Sequence, residues 1–64
     1  MSESEHEYNR LLSHILPEIV YRASHGANVK RVSESVVEAQ CLHGTGEPAA
    51  AVNVLQKVFR ELRQ

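Results

Sequence analysis

Apolar residues recur every three or four positions in three segments of this chain, a spacing typical of amphipathic α-helices. The apolar positions of the first segment are Tyr8, Leu11, Leu12, Ile15, Leu16, Ile19, Val20 and Ala23. Ser4 and Glu7 have the spacing of a capping box, which predicts the start of this helix at Ser4. Gly26 is placed to end it, because glycine readily adopts the left-handed conformation that follows many helices.

Pro17 lies inside this first apolar stripe. A proline ring removes one backbone hydrogen bond and here clashes with the carbonyl group of Ser13, so we expect either a kink or a break into two helices. The stripe keeps its phase on both sides of Pro17, which favours the kink.

The second segment begins at about Asn28 or Ser33 and ends at His43. Its apolar positions fall on two faces, one with Val29, Val32, Val36 and Ala39 and the other with Val37 and Cys41. Valine is a poor helix former, so a strand is the alternative. The spacing lacks the strict alternation of a strand and favours a helix.

The third segment follows a turn predicted at Gly44, Thr45 and Gly46. Pro48 fits the first turn of a helix, where its missing N–H is not needed. The apolar face of this helix comprises Ala51, Val52, Leu55, Val58, Phe59 and Leu62. The sequence therefore predicts an all-α fold with residues 1–64 as a single small domain. We expect an antiparallel hairpin of the second and third helices, with a Pro-kinked first helix packed across it.

The length of the chain limits its stability. A domain of 64 residues buries only about 60% of the surface that its unfolded form exposes. Cys41 is the only cysteine, so no disulfide can form within the chain. The acidic start has neither the basic nor the apolar region of a signal peptide, and no apolar stretch approaches the length of a membrane span. We expect a cytoplasmic protein that needs a partner chain to be stable.

The formal charge of −1 gives no global attraction to nucleic acid or to anionic lipid. Basic residues are nevertheless concentrated locally, at Lys30 and Arg31 and again at Lys57, Arg60 and Arg63. Cations in a last helical turn complement the helix dipole. We interpret these residues as helix-stabilising, with a phosphate-binding patch as the alternative.

Residues 32–64 resemble a single tetratricopeptide repeat, a helix–turn–helix unit of about 34 residues. The positions that carry the resemblance are Val36, Ala39, Leu42, Gly46, Glu47, Ala51, Leu55 and Val58. The resemblance implies a helical hairpin that binds peptides on the face of its first helix. The matching positions are Ser33, Val37, Gln40 and His43. None is Lys or Arg, so a clamp for a C-terminal carboxylate is not implied.

The apolar stripes of the first and third helices together contain more apolar surface than a three-helix chain of this length can cover. An uncovered apolar patch marks a protein interface. We expect that surface to comprise Tyr8, Leu12, Ile15, Ile19, Phe59 and Leu62. The predicted function is therefore protein binding, as an adaptor, small chaperone or inhibitor subunit. Its partner would be another protein or a second copy of the chain, with a homodimer favoured and no membrane or small-molecule partner.

Catalysis and metal binding find little support in the sequence. Glu3 and His6 have the spacing of a di-iron ligand pair, but that chemistry needs the motif twice. Cys41 would need a base and an orienting carboxylate, and the chain contains no Asp. We predict no enzymatic activity, no catalytic residue, no metal and no cofactor.

A small dimeric DNA-binding regulator is the alternative function. Two helices joined by a short glycine-containing turn are the outline of a helix-turn-helix. The third helix would then read the major groove, yet only Asn53, Gln56 and Lys57 could contact bases or phosphates. Insensitivity of the complex to salt would distinguish an apolar protein interface from DNA binding.

Overall fold

The computed structural model describes residues 3–63, which form three α-helices. Helix α1 spans Glu3–Ser24, α2 spans Lys30–Gly44 and α3 spans Pro48–Arg63. No strand occurs in this part of the chain. The all-α prediction is therefore confirmed, and the strand alternative for the second segment is wrong. Pro48 is the first residue of α3, as predicted.

The helices run up, down and up along a bundle 36 Å long and 17 Å across. The Glu5 carboxylate, near the start of α1, forms a hydrogen bond with the imidazole of His43, near the end of α2. At the opposite end, the Arg22 guanidinium donates a hydrogen bond to the carbonyl oxygen of Leu62 in α3. Helix α3 packs along both other helices, whereas α1 and α2 approach each other closely at only a few residues.

Helices α2 and α3 form an antiparallel hairpin. A turn over residues 45–47 joins them at one end. At the other end, an Arg31 nitrogen lies 3.7 Å from a carboxylate oxygen of Glu61. The two helices thus lie side by side along their length. Ala39 and Ala51 are fully buried, and their small side chains allow the two backbones to approach closely.

Both connections begin with the same glycine-dependent helix ending. Gly26 and Gly46 have φ angles of +84° and +86°. After α1, the amide of Gly26 bonds the carbonyl of Ala23 and the amide of Ala27 bonds that of Arg22. The turn after α2 repeats this pattern. These paired bonds define a Schellman motif, which satisfies carbonyl groups that the helix leaves open.

Of the expectations for α1, the break at Pro17 and the helix start at Ser4 differ from the structure, and the favoured kink stays a prediction. The helix continues through Pro17 as one element, so a break into two pieces does not occur. Pro17 is exposed, which places the gap in the hydrogen-bond ladder at the surface, where the Ser13 carbonyl is accessible to water. The capping box is wrong, because Ser4 lies inside the helix and Glu3 is already helical.

The core is built from all three helices and consists of apolar side chains. Its buried members are Tyr8, Leu11, Ile15, Val36, Ala39, Ala51, Val52, Leu55, Val58 and Leu62. Helix α3 contributes half of them, because it is the helix that both others cover. No charged or polar side chain is buried among the described residues.

Candidate protein-binding surface

The apolar surface predicted from the sequence is mostly core. Tyr8, Ile15 and Leu62 are buried at 4%, 0% and 8% exposure, so the expectation that they form an open surface is wrong. The remaining members of that set are partly buried and pack against the core: Leu12, Ile19 and Phe59. The reason is geometric, because the apolar face of α3 is covered by α1 on one flank and by α2 on the other.

Four other large apolar residues are exposed instead. Leu16 is 41% exposed, Val20 68%, Tyr21 59% and Val37 56%. Leu16 and Val20 belong to the predicted stripe, but that stripe covers more than one face of the helix. A helix in a small bundle buries a face of about 100°, so the outer members of a wider stripe must remain exposed. The width of the predicted stripe was therefore the feature of the sequence that indicated exposure of Leu16 and Val20.

Leu16 lies on the side of α1 that faces α2. Glu5 marks this side, because it is bonded to His43 of α2 at 2.9 Å. Leu16 follows Glu5 by 11 residues, about three helical turns, and therefore lies on the same face. Val20 is one turn further along and slightly closer to solvent. Because α1 and α2 approach each other closely at only a few residues, their facing flanks stay largely exposed, and we call the space between these flanks the α1–α2 groove.

The second wall of the α1–α2 groove belongs to α2. Arg31 marks the side of this helix that faces α3, through its contact with Glu61. Ser33 comes two residues after Arg31 and Gln40 nine residues after it. With 3.6 residues per turn, both lie about halfway around the helix from Arg31, on the opposite flank. Val37 lies on the same flank. Gln40 and Val37 are exposed and Ser33 is partly buried.

His43 closes one end of the α1–α2 groove. Its imidazole stacks on the Tyr8 ring with centroids 4.1 Å apart and bonds the Glu5 carboxylate. Burial, followed by the nearby Glu5 charge, raises the pKa of Tyr8 above the ordinary value of 10.0. Both causes penalise the phenolate. Of the four positions implied by the repeat resemblance, Ser33, Val37 and Gln40 therefore border the groove and His43 ends it.

The α1 wall of the α1–α2 groove carries no charge from Asn9 to Ala23. On α1 the exposed residues of this flank are Asn9, Ser13, Leu16, Val20 and Ala23. The α2 wall adds Ser33, Val37, Gln40 and Cys41. The charged side chains of α1 point elsewhere: Arg10 pairs with Glu7, and Arg22 pairs with Glu18 beside α3. An exposed strip therefore extends across both helices. It is uncharged on α1, whereas on α2 the exposed Lys30 lies on the same flank as Ser33.

A separate cleft of about 340 Å³ lies between α1 and α3. Its lining comprises His14, Glu18, Phe59, Leu62 and Arg63. The Arg63 guanidinium lies 5.7 Å from the centre of the Phe59 ring. Two residues of the predicted surface, Phe59 and Leu62, thus border this cleft and are separated from the groove by the body of α1.

Reactive and ligand-binding groups are dispersed. Cys41 is an exposed free thiol. Within residues 3–63, His, Cys and Glu side chains nowhere gather in a group of three that could hold a metal ion. None of the three described helices combines the length and the apolar character that crossing a membrane requires.

Comparison with protein-family models, with curated proteins and with solved structures found no match.

Proposed function

We propose that this protein is a protein-binding module and that the α1–α2 groove is its contact surface. The observation that carries the proposal is the exposed strip with Leu16, Val20 and Val37 along it, which is uncharged on its α1 side. Centres of protein interfaces are depleted in charged residues and enriched in apolar ones. A strip of this kind on a chain with 23% charged residues is the surface best suited to exclude water.

The size of the domain gives a second, independent reason for a partner. A core of ten buried residues in a 64-residue chain leaves a small margin over the entropy of the unfolded state. Covering Val20 and Val37 with a partner removes further apolar surface from water, at about 25 cal/mol per Å². Binding and folding stability are therefore linked in this protein.

The occupant that fits the α1–α2 groove is an apolar helix face. Two antiparallel helices that rest on a common support and contact each other little leave the position of a fourth helix in a bundle. A second copy of the chain supplies such a helix, because twofold symmetry places the uncharged flank of α1 against itself and needs no complementary charge. We therefore propose a homodimer that closes through α1.

The resemblance to a tetratricopeptide repeat is compatible with this surface and remains a prediction. Ser33, Val37 and Gln40 lie at the groove, where such a repeat would hold a peptide. The helix-turn-helix alternative is less favoured. In that motif the helices cross at about 90–120°, whereas the turn at 45–47 and the Arg31–Glu61 contact keep α2 and α3 alongside each other.

Two adjacent residues of α1 provide the test. Val20 and Tyr21 are both exposed, but Val20 borders the α1–α2 groove and Tyr21 lies on the other side of the helix. We expect Val20→Asp to shift the purified chain from dimer to monomer in sedimentation velocity at micromolar concentration. Tyr21→Asp introduces the same charge at comparable exposure and should leave the dimer intact. Val37→Asp tests the second wall and should act like Val20→Asp.

Native mass spectrometry of the tagged chain from its own cells identifies any other protein held in the groove. A hetero-complex lost in Val20→Asp and kept in Tyr21→Asp would retain the protein-binding function and replace the homodimer as its form. Equal behaviour of the two variants, or a wild-type chain that is monomeric and carries no protein, would contradict the proposal.

A further inference from the structure

The fold sorts the charges of this chain toward opposite ends of the bundle. The C-terminal halves of α1 and α3 meet the N-terminal half of α2, as shown by the contacts from Arg22 to Leu62 and from Arg31 to Glu61. Six of the seven basic residues lie in this half: Arg22, Lys30, Arg31, Lys57, Arg60 and Arg63. We call its exposed cations, which are these residues without Arg22, the basic end.

Acidic residues show the opposite distribution. Three of the eight lie in the same half as the basic end: Glu18, Glu34 and Glu61. Six cations and three carboxylates give that half a formal charge of +3. The other half has one cation and five carboxylates, a formal charge of −4, and the two sum to the −1 of the chain. A nearly neutral protein thus carries a strong charge separation along 36 Å.

Helix dipoles do not account for this excess. The half of the bundle that carries the basic end contains two helix C-termini and one helix N-terminus. Each C-terminus carries a partial charge of about −0.5 and the N-terminus about +0.5, which leaves about −0.5 in total. That is small beside +3. Ion pairs within the chain also leave most of the positive charge available to a ligand. The Arg31 side chain is 87% exposed despite its 3.7 Å contact with Glu61. Lys57 and Arg60 make no ion pair with the described part of the chain.

The outward face of α3 extends the basic end with hydrogen-bonding groups. Asn53, Gln56, Lys57 and Arg60 are all exposed on this face. Side-chain amide, ammonium and guanidinium groups are among those that contact phosphate and sugar oxygens in nucleic-acid complexes. Arginine in particular matches phosphate geometry with two parallel bonds.

We propose that the basic end binds the phosphate backbone of a nucleic acid without reading its sequence. On α3, the face that presents Lys57 and Arg60 is polar, since Phe59 and Leu62 turn toward the core. Binding to a lipid surface would instead need an apolar face beside the cations to enter the bilayer interface. Lys57 and Arg60 lie on the outward face of α3, which points away from the α1–α2 groove, so one chain can hold a protein and a nucleic acid together.

The test is a fluorescence-anisotropy titration of the full chain with a labelled duplex oligonucleotide of about two helical turns, repeated over a range of salt concentrations. We expect saturable binding at low salt that weakens steeply as salt rises, because counterions are released from the DNA. In the double variant Lys57→Gln and Arg60→Gln, the slope of log affinity against log salt should decrease by about two units. A duplex of different sequence should bind equally well.

Arg10→Gln is the matched control, because it removes an exposed cation from the acidic half and should change neither affinity nor slope. Val20→Asn separates this proposal from the preceding one, because it removes an apolar side chain of the groove without adding a charge to this half of the bundle. It should lower affinity through lost dimer avidity at most, and leave the slope per chain unchanged. Absence of wild-type binding at low salt would overturn the proposal. So would an equal effect of Arg10→Gln, or binding to phosphatidylserine vesicles in place of the duplex.

Discussion

The imidazole of His43 lies flat on the ring of Tyr8, with the ring planes inclined by only 10°. This contact fastens the C-terminal end of α2 to the N-terminal part of α1, where the two helices otherwise approach little. Together with the bond from His43 to Glu5, it sets the end at which the α1–α2 groove is closed.

Replacing His43 with Ala should destabilise the fold by about 1 kcal/mol, since a stacked pair and a partly exposed hydrogen bond each contribute around that amount or less. His43→Phe keeps the stack and loses the bond to Glu5, so it should recover part of the loss. Urea denaturation followed by circular dichroism measures both. His6→Ala, at an exposed position of α1, is the control; a loss as large as that of His43→Ala would disprove the role assigned to the stack.

The buried phenol of Tyr8 makes stability depend on pH in the alkaline range. Its pKa is raised above 10.0 in the folded state by burial and by Glu5, so above pH 10 the unfolded chain loses this proton before the folded chain does. The free energy of unfolding should therefore fall as pH rises past 10. Below pH 10, ionisation of Tyr8 should add no pH dependence to it. Ultraviolet titration of the Tyr21→Phe variant, which leaves one tyrosine, should give a midpoint above that of the same chain in denaturant. Coincident midpoints would contradict the raised pKa.

Two glycines at the end of α2 should respond oppositely to alanine. Gly46 has a φ of +86°, a conformation that costs an alanine about 1 kcal/mol or more. Gly44 is helical and an added Cβ there meets nothing within 4 Å, so alanine should stabilise the helix by about 0.5–1 kcal/mol. Thermal unfolding of the two variants should move the midpoint in opposite directions. A shift of the same sign would show that the turn is not held as described.

The close approach of α2 and α3 should be sensitive to volume at Ala51. This residue is fully buried, and Ala51→Val overpacks the contact at a cost of about 1–3 kcal/mol. Ala49→Val, two residues away and exposed, has the same change in helix propensity without the contact. The difference between their free energies of unfolding isolates the packing effect. Equal free energies of unfolding for the two variants would mean that the hairpin is loosely packed around Ala51.

The helices could be predicted from local signals, and the candidate site only in part. Periodicity placed all three helices, Gly26 and Gly46 marked their ends, and Pro48 marked the start of α3. The start of α1 could not be predicted from Ser4, because a capping pattern does not stop good helix formers such as Glu3 from extending the helix. Ser33, Val37 and Gln40 were named as binding positions by the resemblance to a tetratricopeptide repeat, and their binding role stays a prediction. The α1 wall was missed, because periodicity alone does not show which part of a wide stripe a neighbour will cover.

By itself, the sequence determined three amphipathic helices, two glycine turns and a core too small to leave a wide margin of stability. These depend on the spacing of apolar residues and on backbone conformation, which act over a few positions. The tertiary structure alone decided that α3 is the shared support, that Ile15 is buried while Val20 is exposed, and that Arg31 and Arg60 belong to one basic end. These relationships join residues up to 40 positions apart, and they follow from the up, down and up arrangement of the helices, which no local pattern specifies.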